Sequence, residues 1–304
     1  MRLHDDWSTA ALDRHPAAAC VGPFPRRDFL EVWWRQRGSG PLLLAETDAA
    51  LLPLWEGPGG VEIVGEADLT DYHCPLGGGP DDTAELGKAL AGMLSPGTRF
   101  LLDSLPGEVA LPLSVGLASG GVEAPPVRHE AAAVLELPCD YEGYLAGLRS
   151  KDRHEIRRKQ RRFEEAMGEA RLVRGGGPDT LVAFFSMHRA AGGRKGGFMT
   201  PGMEAFFRSL LEIEGAVLSL LVGEDGEAVA GAFGFEDEHA YYLYNSAYDP
   251  GSAAESPGVV LIDLLIAEAI AGGKHRLDFL KGDEAYKFRM GAVRRPLFSL
   301  EGTT

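Results

Sequence analysis

The sequence predicts a mixed α/β (α+β) fold in which a largely antiparallel sheet is covered by helices, built twice along the chain. Three observations carry this. Ala216–Val222 and Ala228–Phe235 are apolar strand-like runs joined by the hairpin turn Glu224-Asp225-Gly226, and His239–Tyr248 alternates as a third strand. Ser256-Pro257 then offers an N-cap and a first-turn proline to the apolar helix Gly258–Ala271, which Gly272-Gly273 stops before a strand at Leu277–Leu280. The first half repeats this order coarsely, with a strand ending near Asp103 as the second half has one ending near Asp278.

The elements follow in order. A helix is expected from Asp28, whose carboxylate suits a first turn, through Phe29, Val32 and Trp33 to Arg37. Leu42–Glu46, Ala50–Trp55 and Val61–Gly65 read as strands, Asp71–Pro75 as an edge or site loop, Asp81–Leu94 as an amphipathic helix and Arg99–Leu105 as a strand. Ala118–Pro126 reads as surface loop, Ala133–Leu137 as a strand, and Pro138–Asp140 as the junction between domains 1–138 and 139–304. In the second half, Tyr141–Leu148, Lys151–Met167, Thr180–Ala191 and Gly202–Glu214 are expected helices, with Gly192–Gly197 a flexible basic loop. In His239–Tyr248 strict alternation places Tyr241, Leu243 and Asn245 on one face and Tyr242, Tyr244 and Ser246 on the other.

A chain of 304 residues with 45% hydrophobic content suits two cores of about 150 residues each. Its net charge of −15 argues against broad nucleic-acid binding. One segment runs the other way: Arg149–Arg162 carries eight Lys/Arg and two acids, so +6 sits there and −21 elsewhere. Three separated cysteines without metal-ligand spacing favour neither a disulfide framework nor a zinc site, and a reduced, cytoplasmic setting with no metal is expected. The start MRLHDDW lacks a signal-peptide core, and the apolar helix near Val259–Ile270 contains Asp263 and Glu268 and is too short to cross a bilayer, so no membrane insertion is expected.

The second half resembles the CelD/BioF2-like acetyltransferase-like family of the GNAT superfamily, and more distantly the Fem-type peptidyltransferases. The resemblance rests on SKDRHEIRRKQRRFEE at Ser150–Glu165, FFSMHRAAGG at Phe184–Gly193, YYLYNSAYDP at Tyr241–Pro250, SPGVVLIDLLIAEAI at Ser256–Ile270 and DFLKGDEAYKFRMGA at Asp278–Ala292. LLPLWE at Leu51–Glu56 and TDYHCPL at Thr70–Leu76 look like the family's first half. The resemblance implies duplicated GNAT-like domains, the first degenerate and the second catalytic. It implies an N-acyltransferase moving an acyl group from acyl-CoA or acetyl-CoA to the amine of an amino sugar, amino acid or related small acceptor. Its Fem-like side implies an alternative, transfer from aminoacyl-tRNA; a noncatalytic ligand-binding module is a third reading. The loop before Val259 departs from ordinary GNAT enzymes, lacking their Q/R-x-x-G-x-G/A pyrophosphate motif.

Within that chemistry, Ser256, Gly258 and Val259 open a helix whose free amides suit a pyrophosphate. The sharpest cluster is Asp278–Lys287 with Arg289. Asp283 or Glu284 would receive the amine proton, Tyr286 would protonate the departing thiolate, and Lys281, Lys287 and Arg289 would position phosphate or an acidic substrate. Asp278, inside a strand, is read as orienting backbone or basic partners. His188 is a rival base with Arg189 beside it as a substrate contact, Tyr244 would shape a pocket with Tyr248, and Asn245 would bond a bound amide. Arg157 and Arg158 in the basic segment would meet the 3′-phosphate of CoA, an anionic glycan or lipid head group, or tRNA. Asp71, Tyr72 and His73 would line the acceptor side of a cleft or form an exposed turn.

Overall fold

In the computed structural model, which describes residues 2–11, 20–175 and 177–304 apart from the side chains at 178, 194 and 195, the chain divides into two units. The first comprises Met1–Ala132 with Arg294–Thr304, the second Ala133–Val293.

The first unit begins with β1 (Arg2–His4) and α1 (Arg27–Arg37), followed by β2 (Leu42–Glu46), β3 (Ala50–Gly57), β4 (Gly60–Ile63) and β5 (Leu76–Gly77). Next come α2 (Pro80–Met93), β6 (Arg99–Pro106) and α3 (Gly107–Ser119), and β7 (Val127–Glu136) runs across the boundary into the second unit. The strands β2, β3 and β4 pair antiparallel, and β6 returns parallel to β4 after α2. The apolar stripe of α1 (Phe29, Leu30, Val32, Trp33) is buried, as its helical spacing requires. The helix α3 was not expected, because Pro112 and Gly116 interrupt its pattern. Gly116 is required there, since a side chain would strike the carbonyl of Ala84 on α2.

The second unit runs α4 (Tyr141–Gly147), α5 (Ser150–Met167), β8 (Arg171–Arg174), α6 (Pro178–Ala190), α7 (Gly193–Phe198) and α8 (Pro201–Leu210). Then follow β9 (Ala216–Val222), β10 (Ala228–Glu236), β11 (Ala240–Tyr248), α9 (Pro257–Ala271), β12 (Arg276–Lys281) and α10 (Ala285–Arg289). Its strand order is β12-β11-β10-β9-β8, antiparallel except for the β11–β12 pair. The helix α9 buries Val260, Leu261, Ile262, Leu265, Ile266, Ala269 and Ile270 in a core shared with Ala230, Ala232, Tyr241 and Leu243 of the sheet. Each such large side chain contributes roughly 1.5–3 kcal/mol from burial.

Several expectations change here. Gly192–Gly197 was read as a loop, yet Gly193–Phe198 is helical; the side chains of Arg194 and Lys195 lie outside the described ones. The short strand β8 was not anticipated. Finally β13 (Val293–Thr303), placed with the second half by the sequence reading, pairs antiparallel with β6 and belongs to the first unit.

Both units thus share one order: antiparallel strands, a helix, and a strand returning parallel to the last of them. In each, that returning strand carries a non-glycine residue with positive φ, Ser104 at 54° in β6 and Leu280 at 59° in β12. The fold is mixed α/β, its strands mostly antiparallel and its helices packed on them.

Candidate functional site

A β-bulge decides what β11 presents to each side. The register runs Phe233↔Asn245 and then Gly234↔Leu243, which leaves Tyr244 as the extra residue. The parity of the strand therefore changes midway. Tyr241 and Leu243 face α9, but Asn245 turns to α6 and Ser246 and Tyr248 take over the α9 side. The strict alternation expected from the sequence put Asn245 with Tyr241 and Leu243, and the bulge overturns it. Beside this bulge the parallel register with β12 ends at Tyr242↔Asp278, while β11 continues to Tyr248.

The side chains re-aimed by the bulge line a cavity of about 300 Å³ at the start of α9, together with Lys159 of α5, Ser256–Val259, Ile262 and Tyr286 of α10. Ser256 sits in the left-handed region at φ 59° and makes no side-chain cap, so the expected Ser N-cap is replaced by a backbone turn. Of the two amides expected to face an anion, that of Val259 bonds the Ser256 carbonyl at 3.0 Å, which leaves Gly258 in the open first turn. A side chain at Gly258 would come into van der Waals contact with the Tyr248 ring, 3.4 Å from the added carbon. Burial raises the Tyr286 phenol well above the usual tyrosine range, with Glu284 adding to the effect, so it holds its proton.

The Asp278–Lys287 cluster separates into parts. Asp278 is fully buried and accepts from the Leu280 amide at 2.8 Å, fixing the positive-φ residue. Lys287, also buried, donates to the Lys281 carbonyl at 2.6 Å and pairs with Glu284 at 3.0 Å, so it ties α10 to the end of β12. Asp283, Glu284 and Arg289 are exposed and Lys281 half-buried, and none of these four lines the α9 cavity. Tyr286 is the member of the cluster that does.

His188 and Asn245 meet: the imidazole Nε2 lies 2.6 Å from the Asn245 side-chain oxygen, and the ring stands edge-on to Phe184 at 5.0 Å. Tyr244 joins this aromatic side, packing on Phe207, Phe233 and Phe235. Arg189 pairs with Glu204. On α5, Arg157 and Arg158 are exposed, facing Glu142 and Glu155. The basic residue that reaches the cavity is instead Lys159, missed by the sequence reading along with Ser246 and Ile262. A signal existed, because Lys159 follows buried Ile156 by three positions and precedes buried Phe163 by four.

Behind the cavity, Asp263 of α9 is buried and accepts from the Tyr141 hydroxyl at 2.7 Å and from Gln160 of α5. Desolvation pushes its carboxyl up to about 6 despite these bonds. In the first unit, Asp71 is half-buried while Tyr72 and His73 are buried, which removes the exposed-turn reading for those two. Arg295 lies over the Tyr72 ring, 4.8 Å from its centroid. Among the described residues no group of three or more His, Cys, Asp or Glu is placed to hold a metal ion, and no helix is long and apolar enough to cross a membrane.

The family model described as Acetyltransferase (GNAT) domain matches residues 150–288, a stretch that includes every residue lining the α9 cavity. No curated protein matches the chain. Among solved structures, a conserved protein of unknown function from Bacteroides thetaiotaomicron is 14% identical, with 100% of both chains covered and a TM-score of 0.65. FemX is 11% identical, covering 100% of this chain and 98% of that one, also at 0.65. L-PGS from Bacillus licheniformis is 14% identical, covering 92% and 93%, at 0.59. At such identities these likenesses show the fold alone. Residues 150–288 are thus similar in sequence to a GNAT-type acetyltransferase domain.

Proposed function

We propose that the chain is an N-acyltransferase of the CelD/BioF2-like kind, with the second unit taking the acyl group from an acyl-CoA and passing it to a small amine. The observation that carries this reading is the α9 cavity, where a helix start, a cation and a protonated phenol converge. The first turn of the 15-residue helix α9 and the Lys159 ammonium would hold the donor's phosphates, since both attract negative charge. Along β11, beyond the end of its pairing with β12, main-chain groups would receive the acyl-bearing arm.

In the reaction the amine nitrogen attacks the thioester carbonyl carbon, a C–N bond forms, and the C–S bond breaks. Tyr286 would give its proton to the departing sulfur, a role suited to a phenol that burial keeps protonated. Asp283 and Glu284, being exposed and in the latter case tied to Lys287, are assigned to the rim, where they would pass the proton lost by the amine to solvent, from which the Tyr286 phenolate regains the one it gave. His188, bonded to Asn245 on the α6 side, is assigned a packing role. A thiol-release assay across acyl-CoA donors and amine acceptors tests the proposal. Turnover with at least one pair supports it, and no turnover together with no CoA binding overturns it.

A second reading is favoured by one observation: Arg157, Arg158, Arg161 and Arg162 stand exposed on α5 while the loop before α9 lacks the ordinary pyrophosphate motif. Such a surface suits a phosphate backbone, and the donor would then be aminoacyl-tRNA. Transfer from charged tRNA, absent with acyl-CoA, would select it.

A further inference from the structure

The first unit contains a cavity of about 610 Å³, twice the size of the one at α9, with His73 and Asp103 in its wall. His73 is 3% exposed, and its Nδ1 lies 2.8 Å from a carboxylate oxygen of Asp103 and 3.0 Å from the Asp103 carbonyl. Both partners are acceptors, so Nδ1 carries a proton, and in the neutral imidazole Nε2 presents a lone pair. That Nε2 is buried and finds no hydrogen-bond partner among the described residues. The same is true of the Thr70 hydroxyl and of the indole N–H groups of Trp33 and Trp55. Four unmatched polar atoms in one small region exceed what a folded interior ordinarily leaves, and a ligand is one standard reason for such a group.

Their arrangement narrows the ligand. Nε2 and the Thr70 hydroxyl converge beside Gly65, where an added carbon would lie 2.7 and 2.6 Å from them. Trp33 and Trp55 stand edge to face at 5.8 Å and 69°, and both residues are among those lining the cavity. The lining residues thus mix acceptor-bearing side chains (His73, Asp103, Glu62) with donor-bearing ones (Trp33, Trp55, Gln36). Arg37 is matched by Glu66 at 2.8 Å, and the carboxylates of Glu62 and Asp103 leave the wall negative, which disfavours phosphates and carboxylates. Hydroxyl groups both donate and accept, and the C–H face of a saturated ring packs on indole.

We infer that the first unit holds a binding site for a neutral, hydroxyl-rich ring of the sugar class, with His73 Nε2 accepting from a ligand hydroxyl. The site is independent of the acyl-transfer reading. The test is tryptophan fluorescence of the full chain titrated with glucose, glucosamine, N-acetylglucosamine and cellobiose, with glucose 6-phosphate and glucuronate as charged controls. At least one neutral or amino sugar is expected to give a saturable change. Binding is expected to weaken at least tenfold in His73→Phe and Asp103→Asn, and to be unchanged in Lys159→Glu, which alters the α9 cavity instead. Circular dichroism and melting identify a variant that has lost its fold. If His73→Phe does so, the nitrogen-15 resonance of His73 Nε2 in the wild type decides, a shift on sugar addition supporting the site. No saturable change with any sugar, wild-type affinity in folded variants, an unmoved Nε2 resonance, or tighter binding of the charged controls each overturns it.

Discussion

Tyr286 is half-buried, and desolvation together with Glu284 holds its phenol above the usual tyrosine range, a property that separates it from the other polar residues of its turn. If it supplies the proton to the leaving thiolate, Tyr286→Phe lowers kcat by about 10²-fold with little change in melting temperature. Asp283→Asn and Glu284→Gln, changing exposed rim groups, lower it by less than about tenfold. Steady-state kinetics on the three variants checks the order. Asp263 makes a different prediction, about stability. Its folded pKa of about 6 lies above the ordinary carboxyl value of 3.8, so the folded state holds a proton the unfolded chain has already lost in that interval. This group's stabilising contribution is complete below about pH 4 and lost as pH rises through about 6, a change of roughly 2–3 kcal/mol. Urea unfolding of Asp263→Asn between pH 4 and 7 should show a flatter pH profile than the wild type.

At the scale of elements, the bulge in β11 does the most to form the candidate site, since it turns Ser246 and Tyr248 toward α9 and Asn245 toward His188. The core under the site is equally specific: Ile266 is fully buried, and Ile266→Ala is expected to cost about 2–5 kcal/mol in urea unfolding. Most elements were legible in the sequence because they carry a local signal: apolar runs joined by a turn for β9 and β10, alternation for β11 and a period of 3.6 for α1, α5 and α8. What escaped has a physical reason in each case. A bulge adds one residue without changing composition, α3 hides behind Pro112 and Gly116, and β8 is four residues long. The start of α9 was legible as a helix start, whereas Asp278 and Lys287 were not legible as supports, because burial and partners depend on the tertiary fold.

At the scale of the whole molecule, two units share one order of strands and helix and each contains its own cavity. The first carries an Asp–His pair and indole rings, the second a helix start, an ammonium and a phenol. The acidic balance of −15 is interrupted at α5, and Lys159 alone of its basic residues lines the α9 cavity. The central claim is that the start of α9 holds an acyl-CoA donor. Calorimetric titration of CoA into the wild type, Lys159→Glu and Gly258→Val tests it most directly. Saturable binding by the wild type, weakened at least tenfold in both variants while their melting temperatures hold, is the result predicted. Absence of CoA binding by the wild type, or equal affinity in all three proteins, would contradict it.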